Sequence, residues 1–202
     1  VGSLFKVNPV DENEIREILQ FESYCNALKR FMRVLQCMFR ENRKVSATVF
    51  YNELIKIRNH STSLLALLNS SDARGQIIAR EFKILDITAR LLFYFLVSQN
   101  VETILQGRKF EMKDLMKLLK NLCSIVLNSA NNNELTHCYM SQYIRVYIHA
   151  IFNPSPLFNA CNKEEREDLK DHIISLLYTF LGDKDLDSLG QLNFYESHFF
   201  RC

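Results

Sequence analysis

Between residues 18 and 39 the apolar positions Ile18, Phe21, Cys25, Leu28, Met32, Leu35 and Phe39 step by three and four. That spacing keeps them on one side of an α-helix. Glu22, Asn26, Lys29, Arg33, Gln36, Arg40 and Arg43 alternate in the same way on another side. Upstream, Asp11 suits an N-cap with Glu14 as its capping-box partner, and Val10 and Ile15 stand at the positions of a hydrophobic staple. The pattern predicts a long amphipathic helix over 11–42, with room for a break in its middle.

The polar stretch ENRKVS interrupts this, and Ser46 then caps a second helix carrying Val49, Phe50, Leu54 and Ile57. RNHSTS reads as a turn, with Ser61 opening a further short helix through Leu68. A helix from 111 to 128 shows Met112, Leu115, Leu119, Leu122 and Val126 on one face, and an aromatic-rich helix follows over 133–152. NPSP stops that helix, because Pro154 and Pro156 cannot continue it. Asn162 caps a last helix with Glu165 as box partner, its buried side formed by Leu169, Ile173, Leu176 and Phe180.

The segment 72–98 is the most apolar. It contains an unbroken run from Leu91 to Val97, seven residues long and abutted by Arg90. A membrane span needs on the order of 20 apolar residues, so this run is too short to cross a bilayer. A helix apolar nearly all round belongs in a protein core. The pattern therefore predicts 72–98 as the central helix, covered by neighbours on at least two sides.

Composition agrees with helix. Only 5 Gly and 3 Pro occur in 202 residues, and 48% of the chain is apolar, enough for a sizeable core with few tight turns. No strand pair or hairpin signal is present. Helix starts near 11, 46, 72, 111, 133 and 162 have no fixed period. The expectation is an all-α fold of six to eight antiparallel helices, in a layered bundle or an irregular HEAT/armadillo-like helical array. Residues 1–202 are read as one all-helical domain excerpted from a longer protein. Of the six cysteines, Cys25, Cys37, Cys123 and Cys138 fall in apolar helical patterns. This points to reduced thiols and an intracellular setting, nucleus or cytoplasm.

Candidate chemistry is sparse. No Cys/His pair has zinc-ligand spacing, and no glycine-rich phosphate loop, nucleophile elbow or dinucleotide fingerprint occurs. His172 follows Asp171, but consecutive helical residues diverge by about 100° and cannot orient each other as a catalytic pair. The expectation is a non-catalytic chain with no catalytic, metal or cofactor residues.

Charge marks two surfaces despite a net charge of only +2. Lys29, Arg30, Arg33, Arg40, Arg43 and Lys44 decorate the first helix and its exit, and Lys113, Lys117 and Lys120 form a stripe on a later one. Such faces attract acidic segments or phosphates. Tyr139, Tyr143 and Tyr147 recur every four residues as a candidate aromatic stripe, since Tyr is enriched at interfaces. These features lead to a protein–protein interaction scaffold or adaptor that binds a partner helix or an acidic peptide. The alternative is a helical-repeat module that contacts nucleic-acid backbone through the basic faces.

Overall fold

The computed structural model describes residues 11–39, 41, 44–70, 77, 83–97, 112–130, 147–153 and 155–181. It is all-α. Six helices are defined: α1 (Glu12–Phe39), α2 (Ala47–Ser70), α3 (Ile84–Val97), α4 (Met112–Ala130), α5 (Pro156–Ala160) and α6 (Lys163–Leu181). Residues 147–152 are also helical. Among the described residues there is no strand.

Several helix ends follow local chemistry. The Asn13 N–H donates to Asp11 Oδ1 at 3.1 Å, and the Val49 N–H to Ser46 Oγ at 3.2 Å, which satisfies one orphan donor at each helix start. At α6 the box closes in both directions: the Glu165 N–H donates to Asn162 Oδ1 (2.8 Å) and the Asn162 N–H to Glu165 Oε2 (3.1 Å).

Three expectations are corrected and one, the stop at NPSP, is extended. α1 runs without a break. α2 does not turn at RNHSTS but continues to Ser70. There the Ser61 and Thr62 hydroxyls donate back to the Arg58 carbonyl at 2.6 and 3.1 Å, so residues read as breakers are satisfied inside the helix. The helix expected over 72–98 is not continuous: α3 is Ile84–Val97, just after Lys83, whose positive φ of 53° no continuing right-handed helix accommodates, while Ile77 is also helical and the rest of 72–82 lies outside the described residues. Pro156, read as a stop, also opens the short α5, where a proline's missing N–H costs nothing.

Long-range contacts give the topology. Phe31 packs on Phe50 and Arg30 faces Glu53, so α1 and α2 are antiparallel. Tyr24 meets Thr88 and Phe31 meets Phe95, so α1 and α3 run in the same direction. Arg58 meets Asp114 and Ser61 meets Asn121, which makes α2 and α4 parallel as well. Met116 lies against Cys161 and Lys120 against Asp168, giving the same relation for α4 and α6. Direction therefore alternates from α1 to α4, and alternate helices come side by side.

The core is continuous through these contacts. Phe31, Phe50 and Phe95, each at most 1% exposed, join α1, α2 and α3 at one point. α4 carries a second buried face beyond the predicted one, because Leu118 and Ile125 are fully buried along with Leu115, Leu119, Leu122 and Val126. Consistent with that, α4 packs against α2, α3 and α6. It occupies the central place expected for 72–98. α3 does bury Leu91, Leu92, Phe95 and Leu96, but leaves Phe93 40% exposed. Ser155, fully buried, donates from Oγ to the Phe95 carbonyl at 2.8 Å, satisfying an acceptor in the last turn of α3. Among the described residues no helix is long and apolar enough to cross a membrane.

A candidate partner-binding surface around the second helix

α2 divides its residues among four directions. Phe50, Leu54, Ile57, Ser61, Leu64 and Leu68 are buried, whereas Asn52, Lys56, Asn59 and Ser63 are exposed. At about 100° per residue the exposed four form one ridge. Glu53 and His60 fall on the flank facing α1. Tyr51, Ile55 and Arg58 fall on the flank facing α4.

Each flank borders a depression. Towards α4 lies one of about 550 Å3, lined by Tyr51, Asn52, Ile55, Lys56, Arg58, Lys113 and Asp114. Towards α1 lies one of about 440 Å3, lined by Ser23, Asn26, Lys29, Arg30 and His60. Their two nearby carboxylates point inward. Asp114, with its side chain 6% exposed, takes the Arg58 guanidinium on Oδ1 and the Tyr51 hydroxyl on Oδ2 (3.1 Å). Glu53, 14% exposed, takes Lys56 Nζ at 2.7 Å and has the Arg30 Nε 3.9 Å away, beyond hydrogen-bond reach. The outward face of this region is therefore cationic.

The basic residues singled out in the sequence separate into groups. Lys29 and Arg30 line the α1 depression, and Lys113 lines the α4 depression, with exposed Lys117 one turn further. Arg33 pairs with Glu41, and Lys44 is exposed in the segment before α2. Lys120 points to α6, its Nζ 2.5 Å from Asp168 Oδ2. That contact holds the Asp168 carboxyl below the usual range, chiefly through the hydrogen bond. Arg40 and Arg43 lie outside the described residues. So do Tyr139 and Tyr143, whereas Tyr147 is 1% exposed and sits in the core rather than on an open groove.

Lys56, Arg58 and His60 join the surface although the sequence reading did not select them. The signal for Lys56 was present in the stripe Asn52, Lys56, Asn59 and Ser63, polar at every third or fourth position, but it was hidden by the turn expected at RNHSTS, and Arg58 and His60 lie on the flanks of that stripe, outside its pattern.

Among the described residues no group of three or more His, Cys, Asp or Glu side chains is placed to hold a metal ion. His172 donates from Nδ1 to the Asp168 carbonyl at 2.8 Å, its nearest partner. The described cysteines Cys25, Cys37, Cys123 and Cys161 are free. Burial pushes the Cys123 and Cys161 thiols up to about 12 and about 11, the reverse of an activated nucleophile. The chain matches no protein-family model, no curated protein and no solved structure.

Proposed function

We propose that this chain is a non-catalytic protein–protein interaction module, a scaffold or adaptor, whose α2 ridge receives an acidic segment of a partner. The observation behind this reading is the split of charge around α2. Lys29, Arg30, Lys56, Arg58 and Lys113 converge from three helices on its two flanks, while Glu53 and Asp114 are turned inward. A ridge between two cationic depressions offers an extended or helical acidic peptide contacts on both of its sides. The same reading assigns the module to a reducing compartment, nucleus or cytoplasm. It is supported there by Cys25, Cys123 and Cys161, which are buried as thiols on separate parts of the chain.

The test is fluorescence polarisation with a labelled Glu-rich helical peptide, a Lys-rich counterpart and a DNA or RNA duplex. The acidic peptide is expected to bind, more weakly as salt rises. Reversing Lys29, Lys56 and Lys113 together to Glu should weaken it about tenfold, from three exposed charge contacts of roughly 0.5 kcal/mol each. Reversing Lys163, an exposed residue at the start of α6, should change little. No binding, or equal loss from Lys163→Glu, would remove the proposal. Duplex binding much tighter than peptide binding would replace it with a nucleic-acid function.

A further inference from the structure

The two depressions beside α2 differ in how their donors are used. On the α4 side nearly everything is engaged within the protein. Arg58 gives Nη1 to Asp114 and both Nε and Nη2 to Asn59, Lys56 gives Nζ to Glu53, and the Tyr51 hydroxyl goes to Asp114. On the α1 side the donors are unspent. Ser23, Asn26, Lys29 and His60 make no side-chain hydrogen bond or ion pair with any other described residue, and Arg30 has only the 3.9 Å approach to Glu53.

Their placement is concerted. Ser23, Asn26 and Arg30 stand at i, i+3 and i+7 on α1, Lys29 adjoins them, and His60 faces them from α2. Every lining side chain is able to donate a hydrogen bond, two carry a fixed positive charge, and no carboxylate lines the recess. Glu22, exposed one turn before Asn26, lies outside the lining. Together these groups supply more donors than the two oxygens of a carboxylate take up. A phosphate monoester has three terminal oxygens and about −1.5 to −2 charge at neutral pH, and it takes several charge-assisted bonds at once.

From this we infer that the recess formed by Ser23, Asn26, Lys29, Arg30 and His60 binds a phosphate monoester, carried on a phosphorylated side chain of the partner. The inference rests on the reading of α2 as the receiver of an acidic segment, and it names where along that segment the modified residue sits. Modification of the partner then raises affinity by filling donors that an unmodified acidic peptide leaves to water.

The full chain, labelled with 15N, is titrated at constant ionic strength with inorganic phosphate, N-acetyl-phosphoserine amide, N-acetyl-glutamate amide and glycerol 3-phosphate. The phosphoserine amide is expected to shift the Asn26 side-chain and His60 signals, and to do so at lower concentration than the glutamate amide. In the polarisation assay, one Glu of the acidic peptide is replaced in turn by phosphoserine. One position should bind about tenfold tighter than the parent. That gain should disappear in Lys29→Met and shrink in His60→Gln, and it should persist in Lys163→Met.

Equal affinity of phosphoserine and parent peptides, or a gain that survives Lys29→Met, overturns the inference and leaves the acidic-segment reading intact. Glycerol 3-phosphate binding more tightly than the phosphoserine amide overturns the assignment to a modified side chain and favours a lipid headgroup. Failure of parent and phosphorylated peptides alike removes both proposals.

Discussion

The Tyr24 hydroxyl and Thr88 Oγ1 lie 2.8 Å apart, both side chains wholly buried, and tie α1 to α3 across 64 residues of sequence. Burial pushes ionisation of the Tyr24 phenol far above its ordinary range, with the Thr88 hydrogen bond opposing only in part. A buried hydroxyl that loses its partner keeps its desolvation cost, so Tyr24→Phe and Thr88→Val should each cost about 1–2 kcal/mol. The double substitution should cost less than the two single losses added together. Urea unfolding of the four proteins measures the coupling, and strict additivity would show that the contact contributes nothing.

Asp114 holds Arg58 and Tyr51 together at the floor of the α4 depression. Asp114→Ala strands a guanidinium that is 23% exposed, so the cost falls at or below the low end for a buried pair, about 2–3 kcal/mol. Replacing both partners, Asp114→Leu with Arg58→Met, should recover most of that loss in thermal or urea unfolding. A double variant no more stable than Asp114→Ala would count against this account of the pair.

The Lys120–Asp168 pair sets a pH dependence. Its hydrogen bond from Lys120 holds the Asp168 carboxyl below the ordinary value of 3.8, aided by the charges of Lys120 and His172 and opposed by slight burial. A carboxyl depressed in the folded state stabilises above its unfolded pKa, and that stabilisation is lost as pH falls through the folded one. The stability difference between the parent and Lys120→Met should therefore hold steady from pH 8 to 5 and shrink below about pH 4. Both side chains are more than a third exposed, at 36% and 42%, so the difference should stay below about 1 kcal/mol. A gap that widens in acid would contradict this.

Thiol reactivity should follow burial. Cys25, Cys123 and Cys161 are buried and have raised pKa values, with desolvation the largest cause in each case. Each should resist alkylation at pH 8 until the protein is unfolded, while partly exposed Cys37 should be modified sooner. Mass spectrometry of iodoacetamide-treated native and urea-unfolded protein distinguishes them. Rapid native labelling of Cys123 would mean that the α4 core opens far more readily than its packing implies.

The sequence by itself determined that the chain is helical, where α1, α2 and α6 are capped, and much of which residues each helix buries. Those properties depend on neighbours three or four positions away and on side chains reaching their own backbone, so one dimension records them. Even so, single-face reading failed where a helix packs on more than one partner. α1 buries Tyr24, Ala27 and Phe31 and leaves Ile18 37% exposed, while α4 buries Leu118 and Ile125 as well as its predicted face.

Only the tertiary structure decided that α4 takes the centre, that Ser61 and Thr62 lie inside a helix gripped by Asn121 at 3.0 and 2.9 Å, and that cations of α1, α2 and α4 meet around one ridge. Those outcomes depend on contacts between residues some 30 to 60 positions apart. Hydrophobic periodicity says that a face must be covered, not by which helix. Charge counted along the chain likewise does not say which carboxylates fold inward to leave their basic neighbours outside.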